Sequence, residues 1–249
     1  MRKLRRWLLV LTPLPLGLLA LLAIPSSRIY VVAVARNEPF HNDRPLSYWA
    51  YRLRNDDPLI REHAAFCLGD AGARAKPVVS DLALATADPS DEVRITATLA
   101  LFKIGPGASE SVPALCIALT DPHPQVRMNS ALALSSFGRE ARGAVAALLA
   151  AMNQRDNYEI VRPFAHSVRQ QSCRALGKIG PDAHAAIPAL TDALQDGVPG
   201  VRYNAAYALG QIGLDARCAL PRLKHCLEDE DFLVREMAVE SIALLGTAR

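Results

Sequence analysis

One pattern of residues recurs six times along the chain, and it limits the possible folds more than any other feature. A hydrophobic residue followed by arginine returns every 33 residues, except for one interval of 42. A leucine or isoleucine stands seven residues after each arginine, a glycine stands eleven after it, and small residues stand three and six after it. These arginines are Arg61, Arg94, Arg127, Arg169, Arg202 and Arg235. Several positions kept in phase over six units indicate an internal repeat.

The spacing within a unit predicts two helices. The residue before the arginine and those three, six, seven and ten after it share one face of a helix, so that face is apolar. Glycine at the eleventh position is typical of a helix end, where a positive φ costs glycine little. A second apolar segment follows, such as Ile187, Leu190 and Leu194, and prolines stand near its start in several units. These prolines are Pro113, Pro188 and Pro221.

Stacked helical pairs give a continuous core, which one pair alone cannot provide. Hydrophobic residues make up 51% of the chain and aromatic residues 6%, which favours packed helices and excludes wholesale disorder. We therefore predict an all-α fold, a right-handed α-solenoid of about six helical-hairpin repeats covering residues 46–249. The second helices of the units are expected to build its concave surface.

The repeat also resembles a known family. The period alone would allow ankyrin or tetratricopeptide repeats, but their sequence signatures are absent. Residues 173–213, CRALGKIGPDAHAAIPALTDALQDGVPGVRYNAAYALGQIG, are similar to the short HEAT-like repeats called phycobilisome-lyase HEAT-like repeats. The resemblance covers about residues 46–246. It is specific for the fold and implies little about the function.

The repeat arginines are expected to stabilise the stack rather than bind a ligand. An aspartate or asparagine stands six residues before five of them, in the loop between units: Asn55, Asp88, Asp121, Asp196 and Asp229. Arginine–carboxylate pairs along the spine would connect successive units by charge-assisted hydrogen bonds. Pro163 interrupts this pattern in the fourth unit.

The two ends of the array differ from its middle. Leu46, Trp49 and Leu53 match the register of the second helices of later units, so Ser47–Arg54 is interpreted as a capping half unit. Ser47 is the predicted N-cap of its helix. Beyond Gly246 no second helix is predicted, so the last helix either is polar enough to cap the stack or meets a partner.

The first 28 residues predict a membrane segment. Residues 7–27 form a 21-residue uncharged, leucine-rich stretch, which is long enough to cross a bilayer. Arg2, Lys3, Arg5 and Arg6 precede it, which favours a cytoplasmic N-terminus and a solenoid outside the cytoplasm. A cleaved signal with a secreted or periplasmic product, and a buried cytosolic helix, are the alternatives. Residues 29–45 are predicted to form a linker.

The charge balance argues against a nucleic-acid partner. The formal net charge is +3, but the four basic residues before the apolar segment account for it, since 24 other basic residues face 25 acidic ones. Nucleic-acid binding needs a concentrated basic surface. Five cysteines without a CxxC motif indicate packing residues rather than a disulfide framework.

No motif for catalysis, metal or cofactor binding is apparent, so we predict a protein without enzyme activity. Deoxyhypusine hydroxylases, whose repeats are related, bind di-iron through His-Glu dipeptides, whereas this chain has only the reversed pair Glu62-His63. No HExxH, P-loop or GxGxxG sequence occurs. The alternative is a lyase or oxidoreductase-type enzyme, or an accessory subunit, of the bilin-lyase HEAT-like class, which only the shared repeat supports.

A nine-residue insertion around residues 153–167 lengthens one interval of the array. Arg155, Tyr158, Arg162 and Phe164 are of the residue types that anchor interfaces, and insertions in repeat arrays often lie on the binding face. A longer loop without a partner is the alternative. We therefore predict a membrane-tethered scaffold or adaptor that binds another protein, with these four residues as candidate contacts.

Overall fold

The computed structural model describes residues 25–153 and 168–247, and they form a mostly helical solenoid. An N-terminal helix, α1 (Pro25–Ala35), is followed by two short antiparallel strands, β1 (Phe40–His41) and β2 (Arg44–Pro45). The long helices are α3 (Pro58–Asp70), α5 (Asp91–Ile104), α7 (Pro124–Phe137), α9 (Val168–Ile179), α11 (Pro199–Ile212) and α13 (Phe232–Thr247). The short helices are α2 (Leu46–Arg52), α4 (Val79–Ala85), α6 (Val112–Ala118), α8 (Val145–Met152), α10 (Ile187–Ala193) and α12 (Leu220–His225).

The connection between the long and the short helix has the same form in five units. The glycine eleven residues after the arginine has a positive φ in five units, between 58° and 86°, and ends the long helix there as predicted. A 3₁₀ segment of six or seven residues then leads into the short helix. These segments are Gly72–Val78, Gly105–Ser111, Gly138–Ala144, Gly180–Ala186 and Leu214–Ala219. Gly246 differs, because α13 continues through it to Thr247.

The core runs through the array between the long and short helices. The leucine seven residues after the arginine is fully buried in the first five units, and the small residue three after it is buried in all six. The prolines predicted at the second helices stand at their first turns, where no N–H is needed. The repeat therefore specifies both the helices and the core, as predicted.

Successive long helices approach each other much more closely than successive short helices do. The backbones nearly touch at small residues, since a Cβ atom on Gly69 would lie 2.8 Å from the Cα of Ala100. Elements on the inside of a curved stack are closer together than those on the outside. The long, first helices thus line the inner face, and the prediction that the second helices build the concave surface is wrong.

Four repeat arginines, Arg61, Arg94, Arg169 and Arg202, form the predicted ladder of ion pairs among the described residues. Arg61 donates from Nε and Nη2 to both carboxylate oxygens of Asp88, each at 2.7 Å. Arg94 and Asp121 make the same bidentate pair, at 2.8 and 3.1 Å, and Arg202 and Asp229 do so at 2.8 and 2.7 Å. Each of these pairs joins one unit to the next.

The carboxylate comes from the following unit, which the sequence analysis did not anticipate. The residue six before the arginine contributes its backbone carbonyl instead, as when Arg94 Nη1 donates to the carbonyl oxygen of Asp88 at 3.0 Å. Arg127 and Arg235 donate to the corresponding carbonyl oxygens. Arg169 pairs with Asp196 and donates to the carbonyl oxygen of Met152. Pro163, the predicted interruption, lies outside the described residues.

At low pH the ion pairs of this ladder should contribute less to the free energy of unfolding. Arg202 donates to Asp229 and lowers the pKa of that carboxyl below its ordinary value. A carboxyl with a lowered folded-state pKa adds stability above its unfolded pKa, about 3.9, and loses that contribution as the pH falls through the folded pKa. We expect the difference in unfolding free energy between wild type and Arg202→Met to be constant from pH 7 to about 5 and to shrink below about pH 4. Urea unfolding at pH 7, 5 and 3 measures it, and a difference that does not change with pH would contradict the assignment.

The N-terminal cap is built as a half unit, with one corrected detail. Leu46, Trp49 and Leu53 are buried as predicted. Ser47 is not the N-cap, because the helix already begins at Leu46 after the extended Pro45, and Glu38 instead accepts the hydrogen bond from the Ser47 N–H.

Residues 29–45 differ from the expected linker, because they contain most of α1 and both strands. His41 is buried against the cap, where its carbonyl oxygen accepts a hydrogen bond from Trp49 Nε1 at 3.0 Å. Residues 7–24 of the predicted membrane segment lie outside the described residues. Within the part of the chain that is described, no helix is both long and apolar enough to cross a bilayer.

Candidate functional site

A cleft of about 490 Å³ opens on the inner face between the long helices α9, α11 and α13. Its lining combines tyrosine, amide and charged side chains, which suits recognition of a polar chain better than of a purely apolar ligand. The residues that matter most to its chemistry are Gln170, Arg174, Lys178, Tyr203, Tyr207, Asp231 and Leu233.

Helix α9 supplies the positive side of the cleft. Gln170, Arg174 and Lys178 follow one another at intervals of four residues, so they stand in one row on the helix surface. Arg174 and Lys178 are exposed. The Lys178 ammonium lies 5.7 Å from the centre of the Tyr207 ring, a cation–π distance that holds the side chain at the floor of the cleft.

Helix α11 forms the floor. The Tyr207 ring lies against Gly177, where a Cβ atom would be 2.7 Å from the ring, so glycine at this position lets the ring rest on the backbone of α9. Tyr203 stands one turn earlier and is half-buried. Between them the buried Asn204 amide donates to the carbonyl oxygen of Gly200 at 2.7 Å, which fixes the first turn of the helix.

Helix α13 closes the third side. Asp231 accepts hydrogen bonds from the backbone N–H groups of Leu233 and Val234, at 2.8 and 3.2 Å, and so caps the helix. The Leu233 side chain is 57% exposed and stands at the edge of the cleft. The cleft thus has an apolar edge opposite its basic side.

These residues were not predicted, although the repeat contains the signal. Positions one, five and nine residues after the arginine are half-buried or exposed in every unit, and in the fourth and fifth units they hold most of the basic and tyrosine side chains of the cleft. The predicted contacts Arg155, Tyr158, Arg162 and Phe164 lie outside the described residues, directly before α9 in the sequence.

A second cleft, of about 580 Å³, lies between the short helices α4 and α6. Leu84 and Ile117 are its exposed apolar residues, at 72% and 74%. Its charged residues Arg94, Asp88 and Asp121 already belong to the ladder. This outer cleft therefore offers apolar contact without a free polar group to orient a ligand.

The prediction that the cysteines are packing residues holds for the three buried ones and not for the exposed Cys218. Cys67, Cys173 and Cys226 are buried, Cys116 is half-buried and Cys218 is exposed. Burial raises the pKa of Cys173 to about 12, so its reactive thiolate is scarce at pH 7. In residues 25–153 and 168–247, no three His, Cys, Asp or Glu side chains are grouped as metal ligands.

Native alkylation checks this arrangement. With iodoacetamide at pH 7.5, we expect Cys218 to be modified first and Cys173 to stay unmodified until urea unfolds the protein. Peptide mass spectrometry reads the order, and rapid native labelling of Cys173 would contradict the packing of α9.

Comparison with solved structures supports the fold. An engineered protein determined by a structural genomics consortium is 22% identical, with a TM-score of 0.65 over 80% of this chain and 96% of that one. A designed armadillo repeat protein in complex with the peptide (KR)4 is 16% identical, with a TM-score of 0.65 over 80% and 99% of the two chains. The CpcE–CpcF complex of phycocyanin lyase from a Nostoc species is 25% identical, with a TM-score of 0.58 over 84% and 79%.

No curated protein matches the sequence significantly. The HEAT repeats family matches residues 82–167 and 162–243, which together cover more than half of the chain. The matched region contains four of the six long helices in full and most of a fifth, α13. It includes the ladder arginines Arg94, Arg169 and Arg202 with their aspartates. The chain therefore belongs to the HEAT repeat family.

Proposed function

We propose that this protein is a non-catalytic scaffold that holds an extended segment of a partner protein in the inner cleft formed by α9, α11 and α13. The observation that carries the proposal is the grouping of Tyr203, Tyr207, Arg174 and Lys178 in the lining of one cleft. Tyrosine and arginine provide the largest contributions at protein interfaces. Rigid helices present them, so little ordering is required on binding.

The cleft suits an extended chain better than a folded domain. It lies across three parallel helices whose backbones are closely packed, so its floor is shallow and runs along the stack. The tyrosine hydroxyls offer hydrogen bonds to a peptide backbone. The similar designed armadillo repeat protein was determined with a peptide bound, which supports peptide recognition by this type of stack.

Crosslinking in native membranes, followed by mass spectrometry, tests the proposal. We expect wild type to recover a defined partner and Tyr203→Ala/Leu233→Ala to lose most of it while keeping the helical content of the wild type. The matched outer-face variant Leu84→Ala/Ile117→Ala should recover the partner as wild type does. Equal recovery by both variants would contradict binding in the inner cleft.

The insertion remains part of the proposal. Arg155, Tyr158, Arg162 and Phe164 immediately precede the helix that supplies the basic side of the cleft, and we propose that they extend the contact with the partner. Changing all four to alanine should weaken recovery without altering the melting temperature. Unchanged recovery of every partner would remove the insertion from the site.

We also propose that residues 7–27 anchor the protein in a membrane with the N-terminus in the cytoplasm. The support is their length, their lack of charge and the four basic residues before them. A C-terminal reporter that works only in the cytoplasm should then be silent. A strong cytoplasmic signal would contradict this topology.

A second candidate function is a lyase or lyase-accessory role, which the similarity to the CpcE–CpcF complex favours. Its discriminating feature is chromophore or metal content. The full-length protein, purified from cells that make tetrapyrroles, should show no stoichiometric visible absorbance or iron if it is only a scaffold. A bound tetrapyrrole would reverse the order of the two candidates.

A further inference from the structure

We propose that the inner cleft selects a peptide segment of mixed charge, with an acidic side chain over α9 and a basic side chain over α13. This inference rests on the proposed function and specifies the chemistry of the partner. It follows from charged side chains on α9 and α13 that form no ion pair with any described residue.

The α9 side of the cleft can bind a carboxylate. Arg174 and Lys178 are exposed and form no ion pair with any described residue. They stand four residues apart on one face of the helix, a spacing that places Cβ atoms about 5–6 Å apart. Repeat arginines such as Arg61, Arg94 and Arg202 are instead neutralised by aspartate. A guanidinium and an ammonium at this spacing can share one acidic side chain, with the guanidinium binding it through two hydrogen bonds.

Asp231 does not satisfy these two cations. Its carboxylate accepts the backbone N–H groups of Leu233 and Val234 and thus serves the N-terminus of α13. The positive end of that helix already stabilises its charge. An incoming carboxylate therefore meets two available cations rather than a completed ion pair.

The α13 side has the opposite charge. Glu236 and Glu240 stand one and five residues after Arg235, the positions that hold Tyr203 and Tyr207 in the preceding unit, so they lie on the same face of the stack, next to the cleft but outside its lining. Both are exposed and neither forms an ion pair with a described residue. Acidic side chains here disfavour a polyanion such as a nucleic acid and favour a basic side chain.

The distance between the two charged sides sets the spacing in the peptide. Neighbouring packed helices lie about 8–10 Å apart, so α9 and α13 are about 16–20 Å apart across α11. An extended chain covers about 3.3 Å per residue. The acidic and basic residues of the segment should therefore be about five or six positions apart, with an apolar or aromatic residue between them over Tyr203 and Leu233.

Selection from a phage-displayed library of random 12-residue peptides tests this inference. The target is the full-length protein in mild detergent, and selected peptides are resynthesised with a fluorescent label for anisotropy measurements. Arg174→Glu/Lys178→Glu reverses the α9 side of the cleft. Arg222→Glu/Lys224→Glu, on exposed residues of the short helix α12, makes the same change in net charge on a different helix.

We expect selected peptides to carry Asp or Glu five or six positions from Lys or Arg. Their affinity should fall at least tenfold for Arg174→Glu/Lys178→Glu and less than twofold for Arg222→Glu/Lys224→Glu. A peptide whose acidic residue is changed to lysine should bind the reversed variant better than it binds wild type.

Two other results would overturn the inference in distinguishable ways. Peptides that bind without a charge pattern, and lose affinity only with Tyr203→Ala/Leu233→Ala, would refute the charge selection and leave peptide binding in the cleft standing. Failure to enrich any peptide over the Tyr203→Ala/Leu233→Ala protein would contradict the proposed function, and the charge selection with it.

Discussion

Arg202→Met is expected to lower the free energy of unfolding by about 3–5 kcal/mol, because it leaves a buried carboxylate without its cation. The side chains of Arg202 and Asp229 are only 8% and 9% exposed, and two direct hydrogen bonds join them. Arg202 also donates to the carbonyl oxygen of Asp196, so the substitution separates two units at the same point. Urea unfolding followed by circular dichroism at pH 7 measures the loss.

The matched control is Arg222→Met, on the surface of α12. Exposed substitutions away from special contacts change stability by about 0.5 kcal/mol or less. Changing both members of the buried pair, as Arg202→Met/Asp229→Leu, should recover part of the loss because no buried charge is left. Equal stability of Arg202→Met and Arg222→Met would show that the ladder does not hold the stack together.

Gly69→Ala is expected to destabilise the protein by about 1–3 kcal/mol, although alanine is the better helix former by about 1 kcal/mol. The added methyl group would lie 2.8 Å from the Cα and 2.9 Å from the Cβ of Ala100. Backbone atoms cannot move aside as a flexible side chain can, so α3 and α5 would have to separate. Thermal unfolding and urea unfolding both report the change.

Gly246→Ala separates the effect of packing from that of helix propensity. Gly246 is also within a helix, but nothing lies within 4 Å of an added Cβ atom there. Because Gly246 stands next to the last residue of its helix, this substitution should stabilise the protein by less than the roughly 0.5–1 kcal/mol expected in the middle of a helix. A stabilising effect of Gly69→Ala as well would contradict the close approach of the long helices.

Local periodicity predicted most of the fold because equivalent positions pack in the same way in every unit. The burial of Leu68 and Ala64, and the end of α3 at a glycine with positive φ, follow from spacing within one unit. The capping half unit was predicted for the same reason, since Trp49 keeps the register of later second helices.

Relations between units could not be predicted in this way. A spacing of six residues connects Asp88 with Arg94, but the side chain of Asp88 pairs with Arg61 of the preceding unit, because adjacent helices bring together residues 27 apart. The choice of inner face likewise depends on which helices pack more closely. Gly246 repeats the glycine of the other units without ending its helix.

The candidate site was harder to predict than the fold because it departs from the repeat instead of following it. Arg174, Lys178, Tyr203 and Tyr207 occupy positions that packing leaves free, so periodicity assigns them no role. They become a site only when α9 and α11 are placed side by side, with the Tyr207 ring over Gly177.

Position-specific photo-crosslinking tests the central claim, that the inner cleft holds the partner, most directly. A benzophenone side chain is introduced in cells at Tyr203 or Leu233 of the inner cleft, and at Leu84 or Ile117 of the outer cleft. We expect one common partner adduct from both inner positions and none from the outer positions. The same adduct from Leu84 and Ile117 only, with the inner positions unreacted, would contradict it.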